Sequence, residues 1–124
     1  MTRGEIWLIN LDPTVGAEIR KTRPAVIVSV DAMGVLPLRV VVPITGWKDH
    51  YAQAPWMVCL EPDLQNGLEK VSCADAFQVR SVSVARFVRS LGRLDASSMQ
   101  AIERALAIVL GLDSLLLMEE EVSE

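Results

Sequence analysis

Short apolar runs separated by turn residues fill the first two-thirds of the chain, and they constrain its fold more than any other feature. The run EIWLINL (5–11) alternates with a period of two, so Ile6 and Leu8 lie on one face of a strand and Trp7 and Ile9 on the other. The segment DPTVG that follows has the residues of a tight turn. The pattern therefore predicts a first strand that ends at this turn.

Further strands follow in the same style. Pro24 opens the second strand, which is a position that tolerates proline, and Pro43 near the end of the third indicates an edge or a bulge. The Asn66–Gly67 pair predicts a turn after the fourth strand. The predicted strands are 25–30, 38–45 and 56–62, with one or two more from 72–79 and 87–94. Many short strands with tight turns predict a small barrel rather than a parallel sheet.

The last element has helical periodicity. Asp95 is a good N-cap and Gly111 a plausible C-terminal stop. Between them one apolar stripe recurs at helical spacing, formed by Met99, Ile102, Leu106, Val109 and Leu110. The fold class predicted is mainly β with a C-terminal α-helix that covers one end of the barrel.

Length and charge indicate one domain with an acidic tail. A chain of 124 residues buries a substantial core without disulfides, and we assign residues 1–112 to this domain. The net charge is −4, but residues 113–124 hold five acids and no base, which leaves 12 basic against 11 acidic residues in 1–112. A polyanionic partner is compatible with this balance if the basic residues converge on one face. The tail is predicted to be a solvated terminus, with competition against a polyanionic partner for the basic face as the alternative.

No metal site and no membrane segment are predicted. Cys59, Cys73 and His50 are not spaced as metal ligands, and both cysteines are expected to be buried packing residues. No apolar run approaches the roughly 18 residues of a membrane span, and the N-terminus lacks the apolar stretch of a signal peptide. We therefore expect a cytoplasmic protein without a metal or another cofactor.

The basic segment before the second strand is the first candidate for function. Three of the four residues immediately before Pro24 are basic, namely Arg20, Lys21 and Arg23. Proline fixes its own φ and favours extended geometry in the residue before it, so the Arg23 guanidinium starts from a stiff backbone. Arginine offers a planar fork of donors and lysine a point charge, a combination that suits phosphate. A solvated basic loop is the alternative, and Thr45 at the end of the third strand is either a packing residue or a hydroxyl donor to the same phosphate.

Together these segments resemble the MazF/PemK toxins of type II toxin–antitoxin systems. The matching pieces are Arg3–Gly4–Glu5–Ile6, Asp12–Pro13, Gly16–Ala17–Glu18, Arg23–Pro24, the strand VVPIT that ends at Thr45, the stretch CADAFQVRSVSVARF, and the final helix. The resemblance covers about residues 3 to 112. Two positions depart from the family pattern: Ile19 stands where a glutamine is frequent, and Phe77 where many members have an acid before the glutamine.

The resemblance implies an SH3-like barrel of the MazF/CcdB type that works as a homodimer. It implies a metal-independent endoribonuclease that cuts single-stranded RNA at short sequences and is masked by a disordered, acidic antitoxin segment. The active-site pair carries over to Arg23 and Thr45. In such chemistry the ribose 2′-OH attacks the adjacent phosphorus and leaves a 2′,3′-cyclic phosphate and a 5′-OH end.

The candidate residues have distinct roles in this chemistry. Arg23 stabilises charge on the phosphorane oxygens, because an arginine with a pKa above about 12 is a poor base. Thr45 donates a hydroxyl, and Glu18 either orients Arg23 by an ion pair, the preferred role, or accepts a proton. A single histidine excludes a two-histidine ribonuclease. Candidate RNA-binding residues are Arg20, Lys21, Thr22, Trp47, Lys48, Gln78 and Arg80.

Two other functions remain open at this point. One is a CcdB-like barrel toxin that poisons DNA gyrase through its C-terminal helix and does not need Arg23 and Thr45 together. The other is a catalytically inactive binding module. RNA cleavage in the presence of EDTA separates the enzyme from both.

Overall fold

An antiparallel sheet and one C-terminal helix make up the computed structural model, which describes residues 1–112 and 114–115. Short 3₁₀ turns connect several of the strands. The strands are β1 (Glu5–Asn10), β2 (Thr22–Ile27), β3 (Leu38–Gly46), β4 (Met57–Leu60), β5 (Ser72–Asp75), β6 (Arg80–Ser83) and β7 (Phe87–Arg93), and the helix is α1 (Ala96–Leu110). The predicted class, mainly β with a C-terminal helix, is confirmed.

The strands pair in the order β4-β5-β3-β2-β1-β7, and β6 pairs with β3 beside this path. One edge of β3 pairs with β2, while its other edge pairs with β6 as far as Val41 and with β5 from Ile44 onward. Pro43 lies where β3 changes partner, because proline has no N–H to donate to a ladder. Within the described residues no ladder joins β4 to β7, so this SH3-like sheet stays open.

The strand predicted from 72–79 is shorter in the structure, because β5 ends at Asp75, a 3₁₀ turn follows, and β6 begins only at Arg80. The Asp75 carboxylate accepts a hydrogen bond from the Phe77 backbone N–H at 3.1 Å and caps a 3₁₀ turn over Ala76–Gln78. Because the turn redirects the chain, β5 pairs with the C-terminal half of β3 and β6 with the N-terminal half. An Asp side chain that competes for local N–H groups is the physical reason for the break.

The second strand also differs from its predicted range, 25–30. It begins at Thr22 and includes Arg23 and Pro24, which pair with Ile9 and Leu8 of β1. The basic segment therefore does not precede the sheet as a separate loop. Arg23 belongs to the strand itself.

The two faces of the sheet bury separate clusters. On one face α1 covers the larger cluster, in which Ile102 and Met99 from the helix meet Val26 and Ile44 from the sheet. The residues between these strand positions form a second cluster on the other face, centred on Ile9, Leu11, Ala25, Ile27, Val41 and Val82. This alternation is the period-two pattern of the sequence expressed in space.

The caps of α1 lie where the sequence predicts them. Asp95 accepts a hydrogen bond from the Ser98 backbone N–H at 2.7 Å. Gly111 has a left-handed backbone with φ of 71° and ends the helix. Of the acidic tail, Ser114 and Leu115 are exposed, and Asp113 and residues 116–124 lie outside the described residues. The predicted solvated tail lies almost wholly outside the described residues.

Candidate active site

Strands β2, β3 and β5 bring the candidate catalytic pair to one end of the sheet. The β2–β3 ladder pairs Ala25 with Pro43, and Arg23 and Thr45 are the residues two positions beyond this pair on each strand. Residues two apart share a face of a strand, so Arg23 and Thr45 have the same facing as Ala25 and Pro43. The β2–β3 ladder ends at the Ala25–Pro43 pair, and Arg23 and Thr45 lie beyond it on the same face. Both residues are half-buried.

The Arg23 guanidinium has one recorded intrachain partner. Its Nε donates to the Arg20 carbonyl oxygen at 3.3 Å, a long bond to exposed backbone. Among the described residues no acceptor is hydrogen-bonded to its two terminal nitrogens, and no ion pair engages it. The terminal N–H groups of the Arg23 guanidinium are therefore available to donate hydrogen bonds to a bound ligand.

A cleft of about 400 Å³ opens on this face next to Pro43. One wall is the loop between β1 and β2, and the other is the 3₁₀ turn and the start of β6. Its lining residues are Ala17, Glu18, Ile19, Pro43, Phe77, Gln78, Val79 and Arg80. The aromatic ring of Phe77 is 66% exposed, and its centroid lies 5.9 Å from that of the Trp56 ring. Phe77 therefore gives the cleft an apolar surface on this side.

Gln78 holds the β1–β2 loop closed against β6. Its Oε1 accepts from the Ile19 backbone N–H at 2.6 Å, and its Nε2 donates to the Ala17 carbonyl oxygen at 3.1 Å. Arg80 donates to the Leu11 carbonyl oxygen at 3.1 Å, near the end of β1. In this structure the predicted RNA-binding groups Gln78 and Arg80 are thus engaged in fixing the loop that carries Arg20 and Lys21.

The Glu18 carboxylate serves the same loop. Its Oε1 accepts from the Val15 backbone N–H at 2.7 Å. The ion pairs of the described residues do not include one between Glu18 and Arg23. Lys21 has a φ of 71°, an unusual backbone for a residue other than glycine, and its carbonyl oxygen accepts from the Leu11 N–H. The loop is therefore a defined structure rather than a loose basic segment.

The remaining predicted RNA-binding residues lie around the same end of the sheet. Arg20, Lys21 and Thr22 are exposed, as is Lys48, which follows the end of β3. Trp47 is half-buried and makes an edge contact with Tyr51 at 5.9 Å between ring centroids. The start of β2 and the end of its antiparallel neighbour β3 lie at the same end of the sheet. The basic residues before β2 and after β3 therefore share this end although they are distant in sequence.

Two basic residues of this region were missed in the sequence. Lys70 lies just before β5, and its ammonium nitrogen comes within 3.2 Å of where a side chain on Gly46 would begin. With Arg89 it lines a second cleft, of about 230 Å³, beside Leu8 and Pro24. Leu8 and Pro24 alternate in facing with Ile9 and Arg23, so this second cleft lies on the face of the sheet opposite Arg23 and Thr45. A lysine that precedes a strand paired with Gly46 must lie near the end of β3, so a signal was available in principle. The pairing itself was not visible in the sequence.

Arg3, Gly4 and Glu5, the first matching motif, stabilise the fold. Arg3 donates to the Val28 carbonyl oxygen and pairs with Glu103 of α1 at 2.5 Å. Gly4 has a φ of 91°, which only glycine adopts readily. These contacts tie the N-terminus to the sheet and to the helix.

Burial shifts two ionisable groups near the candidate pair. Burial raises the pKa of the Asp75 carboxyl above its usual value, and hydrogen bonds from Phe77 and Gln78 oppose the shift. Burial also raises the pKa of the Cys73 thiol to about 11. Cys73 pairs with Thr45 across β5 and β3. Within the described residues, no three His, Cys, Asp or Glu side chains form a group able to hold a metal ion.

Residues 2–110 match the family described as the PemK-like, MazF-like toxin of type II toxin–antitoxin systems. The chain belongs to this family. It is 36% identical to endoribonuclease MazF9 of Mycobacterium tuberculosis over 119 residues, which cover 90% of this chain and 98% of the relative.

Solved structures of the family share the fold. The crystal structure of MazF from Deinococcus radiodurans superposes with a TM-score of 0.74 at 27% identity and covers 90% of this chain and 96% of the other. A MazE–MazF structure from the same organism superposes with a TM-score of 0.66 at 25% identity, again over 90% and 96%. No helix formed by the residues described here has the length and apolar character needed to cross a bilayer.

Proposed function

We propose that this protein is a toxin endoribonuclease that cuts single-stranded RNA at short specific sequences without a metal ion. Support comes from membership of the toxin family and from likeness to a relative named endoribonuclease along nearly its whole length. The single observation that carries the proposal onto this chain is the position of Arg23 and Thr45, each two residues beyond the Ala25–Pro43 pair, on the face where Pro43 lines an open cleft.

The proposed chemistry uses the RNA's own nucleophile. The ribose 2′-OH attacks the adjacent phosphorus, the 5′-oxygen leaves, and the products are a 2′,3′-cyclic phosphate and a 5′-OH end. Arg23 supplies two donors to the phosphorane oxygens, and Thr45 supplies a hydroxyl donor from the neighbouring strand. Charge stabilisation in a half-buried site is stronger than in water, so these two groups carry the rate enhancement.

Glu18 positions the reacting groups through the loop. Its carboxylate caps the turn at Val15, and the same loop leads into Arg20 and Arg23. The ion pair with Arg23 stays a prediction for the RNA-bound state. Arg20, Lys21, Thr22 and Lys48 contact phosphates, and Trp47 offers a ring on which a base can stack. Gln78 and Arg80 contact RNA only when they release the loop.

The proposal includes two protein partners. One is an antitoxin, supported by the toxin–antitoxin description of the family and by the MazE–MazF structure of a relative. The other is a second copy of this chain. Exposed apolar side chains between β2 and β3 provide a surface for such contacts, namely Val30, Met33, Val35, Leu36 and Leu38. A toxin that acts on cellular RNA works in the cytoplasm, which is the proposed location.

The test is RNA cleavage by the purified protein in EDTA. We expect 2′,3′-cyclic phosphate and 5′-OH ends, and a rate lower by roughly 10²–10³ in Arg23→Ala and in Thr45→Val, because each removes a donor to the developing charge. Arg104→Ala is the matched control, since Arg104 is an exposed arginine on α1. Intact RNA with the wild-type protein contradicts the proposal, and inhibited DNA gyrase in that case supports the CcdB-like alternative.

A further inference from the structure

The two cysteines of the chain lie directly opposite each other in the sheet. The β4–β5 ladder pairs Cys59 with Cys73, and the β3–β5 ladder pairs Cys73 with Thr45. Directly paired residues point to the same face, so Thr45, Cys73 and Cys59 form one row across three strands. The sequence spacing of 14 residues between the cysteines gives no hint of this.

The two thiols differ in their access to solvent. Cys59 is exposed, which departs from the expectation that both cysteines are buried, whereas Cys73 is 0% exposed. The Cys73 Sγ lies 3.3 Å from the Met57 Sδ on β4. Met57 and Cys59 share a face of β4, so the Cys73 thiol contacts the strand and the face that carry Cys59.

We propose that Cys59 and Cys73 form a reversible intramolecular disulfide, and that this bond slows RNA cleavage by displacing β5 beside Thr45. The cleavage half of the inference rests on the proposed function. The oxidant is a small soluble disulfide, RSSR. The Cys59 thiolate attacks it and releases one RS⁻, and the Cys73 thiolate then attacks the Cys59 sulfur and releases the second. Both thiol protons end on the leaving groups, so two RSH form for each protein disulfide.

The pairing geometry allows this bond at a cost in strain. Side chains directly opposite each other in an antiparallel pair have Cβ atoms about 4.5–5.5 Å apart, and a disulfide needs about 3.5–4.5 Å. Between the middle values of these two ranges, bond formation draws β5 toward β4 by about 1 Å. Because β5 also pairs with β3 at Thr45, the shift reaches the candidate hydroxyl. A misplacement of about 1 Å in an active site costs as much as 10²-fold, and partial transmission of it gives an expected fall of roughly tenfold.

The raised pKa values of the two thiols slow the formation of the disulfide. The pKa of Cys73 is raised to about 11 by burial, and burial and the Glu61 carboxylate raise that of Cys59. Both groups are therefore protonated thiols at neutral pH, and thiolate is the reactive species. Strained disulfides are readily reduced, so the modification reverses when oxidant is removed.

The experiment treats the purified full chain with oxidised glutathione at pH 8 and measures the intact mass, free thiols and the initial rate of RNA cleavage. We expect the loss of two hydrogen atoms, no remaining free thiol, a cleavage rate lower by roughly tenfold, and full recovery with dithiothreitol. Cys59→Ser changes an exposed side chain and is expected to cleave at the wild-type rate before and after the same treatment.

Four results overturn the inference in whole or in part. A stable glutathione adduct without loss of the second thiol, or a disulfide between two chains, shows that Cys59 does not reach Cys73. An intramolecular disulfide with an unchanged cleavage rate removes the regulatory half. Reduced wild-type protein that cuts no RNA refutes the proposed function and the regulatory half with it, while the mass still decides whether the bond forms.

Discussion

Gln78 offers a direct test of how the loop between β1 and β2 is held. Its side chain makes two hydrogen bonds to this loop, from the Ile19 N–H at 2.6 Å and to the Ala17 carbonyl oxygen at 3.1 Å. The substitution Gln78→Ala removes both and leaves the β6 backbone in place. The Ile19 amide then has no Gln78 acceptor, and the loop opens more easily because two of its bonds to the sheet are gone.

The size of the effect follows from the two bonds. A neutral intramolecular hydrogen bond contributes about 1 kcal/mol net, so their loss lowers the free energy of loop opening by about 2 kcal/mol. Since 1.4 kcal/mol corresponds to tenfold in an equilibrium constant, the open population rises by about 30-fold at 25 °C. The global stability changes less than the local one, because loop opening leaves the core intact.

Native-state hydrogen exchange measured residue by residue by NMR reports this opening. We expect the Ile19 amide to exchange about 30-fold faster in Gln78→Ala than in the wild type, with amides of the core strands unchanged. Gln78→Glu keeps an acceptor for Ile19 but cannot donate to Ala17, so it is expected to lie between the two. Gln100→Ala, an exposed position on α1, is the matched control.

An unchanged exchange rate at Ile19 in Gln78→Ala refutes the reasoning. It would show that Arg80, Glu18 and the loop backbone hold the segment without Gln78. A uniform acceleration of exchange throughout the sheet also contradicts it, because that result reports global destabilisation rather than local opening.

Four further substitutions, in three comparisons, test the physical accounts of the fold. Because burial raises the folded-state pKa of Asp75 above its ordinary value of 3.8, its charge destabilises the fold at neutral pH. Asp75→Asn is therefore expected to unfold at a higher denaturant concentration than wild type at pH 7, with this advantage lost as the pH falls through the raised pKa toward 3.8. Gly67 has a φ of +69°, and a Cβ added there would lie only 2.1 Å from a backbone oxygen, so Gly67→Ala should lower the free energy of unfolding in urea by more than about 2 kcal/mol. Gly16 has a φ of +58° but open space around it, so Gly16→Ala should cost about 1 kcal/mol. Equal losses of stability in the two variants contradict the clash at Gly67. Asp95→Ala removes the N-cap of α1 and should cost about 1 kcal/mol, and an unchanged unfolding midpoint argues against the cap.

Signals between neighbours along the chain were enough to predict several elements of this protein. Period-two alternation predicted β1, short apolar runs predicted most of β3 and β7, and helical spacing between Asp95 and Gly111 predicted α1 within its observed bounds. The basic cluster before Pro24 marked the loop, since a proline restricts its own and the preceding residue. These are local signals, so a sequence carries them without knowledge of the fold.

The way in which distant segments meet was visible only in the folded molecule. Strand register pairs Ala25 with Pro43, two residues from Arg23 and Thr45 respectively, and pairs Cys59 with Cys73, and register depends on the pairing of whole strands rather than on any short motif. The Asp75 cap ended a predicted strand early, and the Gln78 side chain binds partners 59 and 61 positions away in the chain. A side chain that binds a backbone group across the sheet makes a single contact at one position. Such a contact produces no repeating pattern in the sequence, so it cannot be predicted from hydrophobic periodicity.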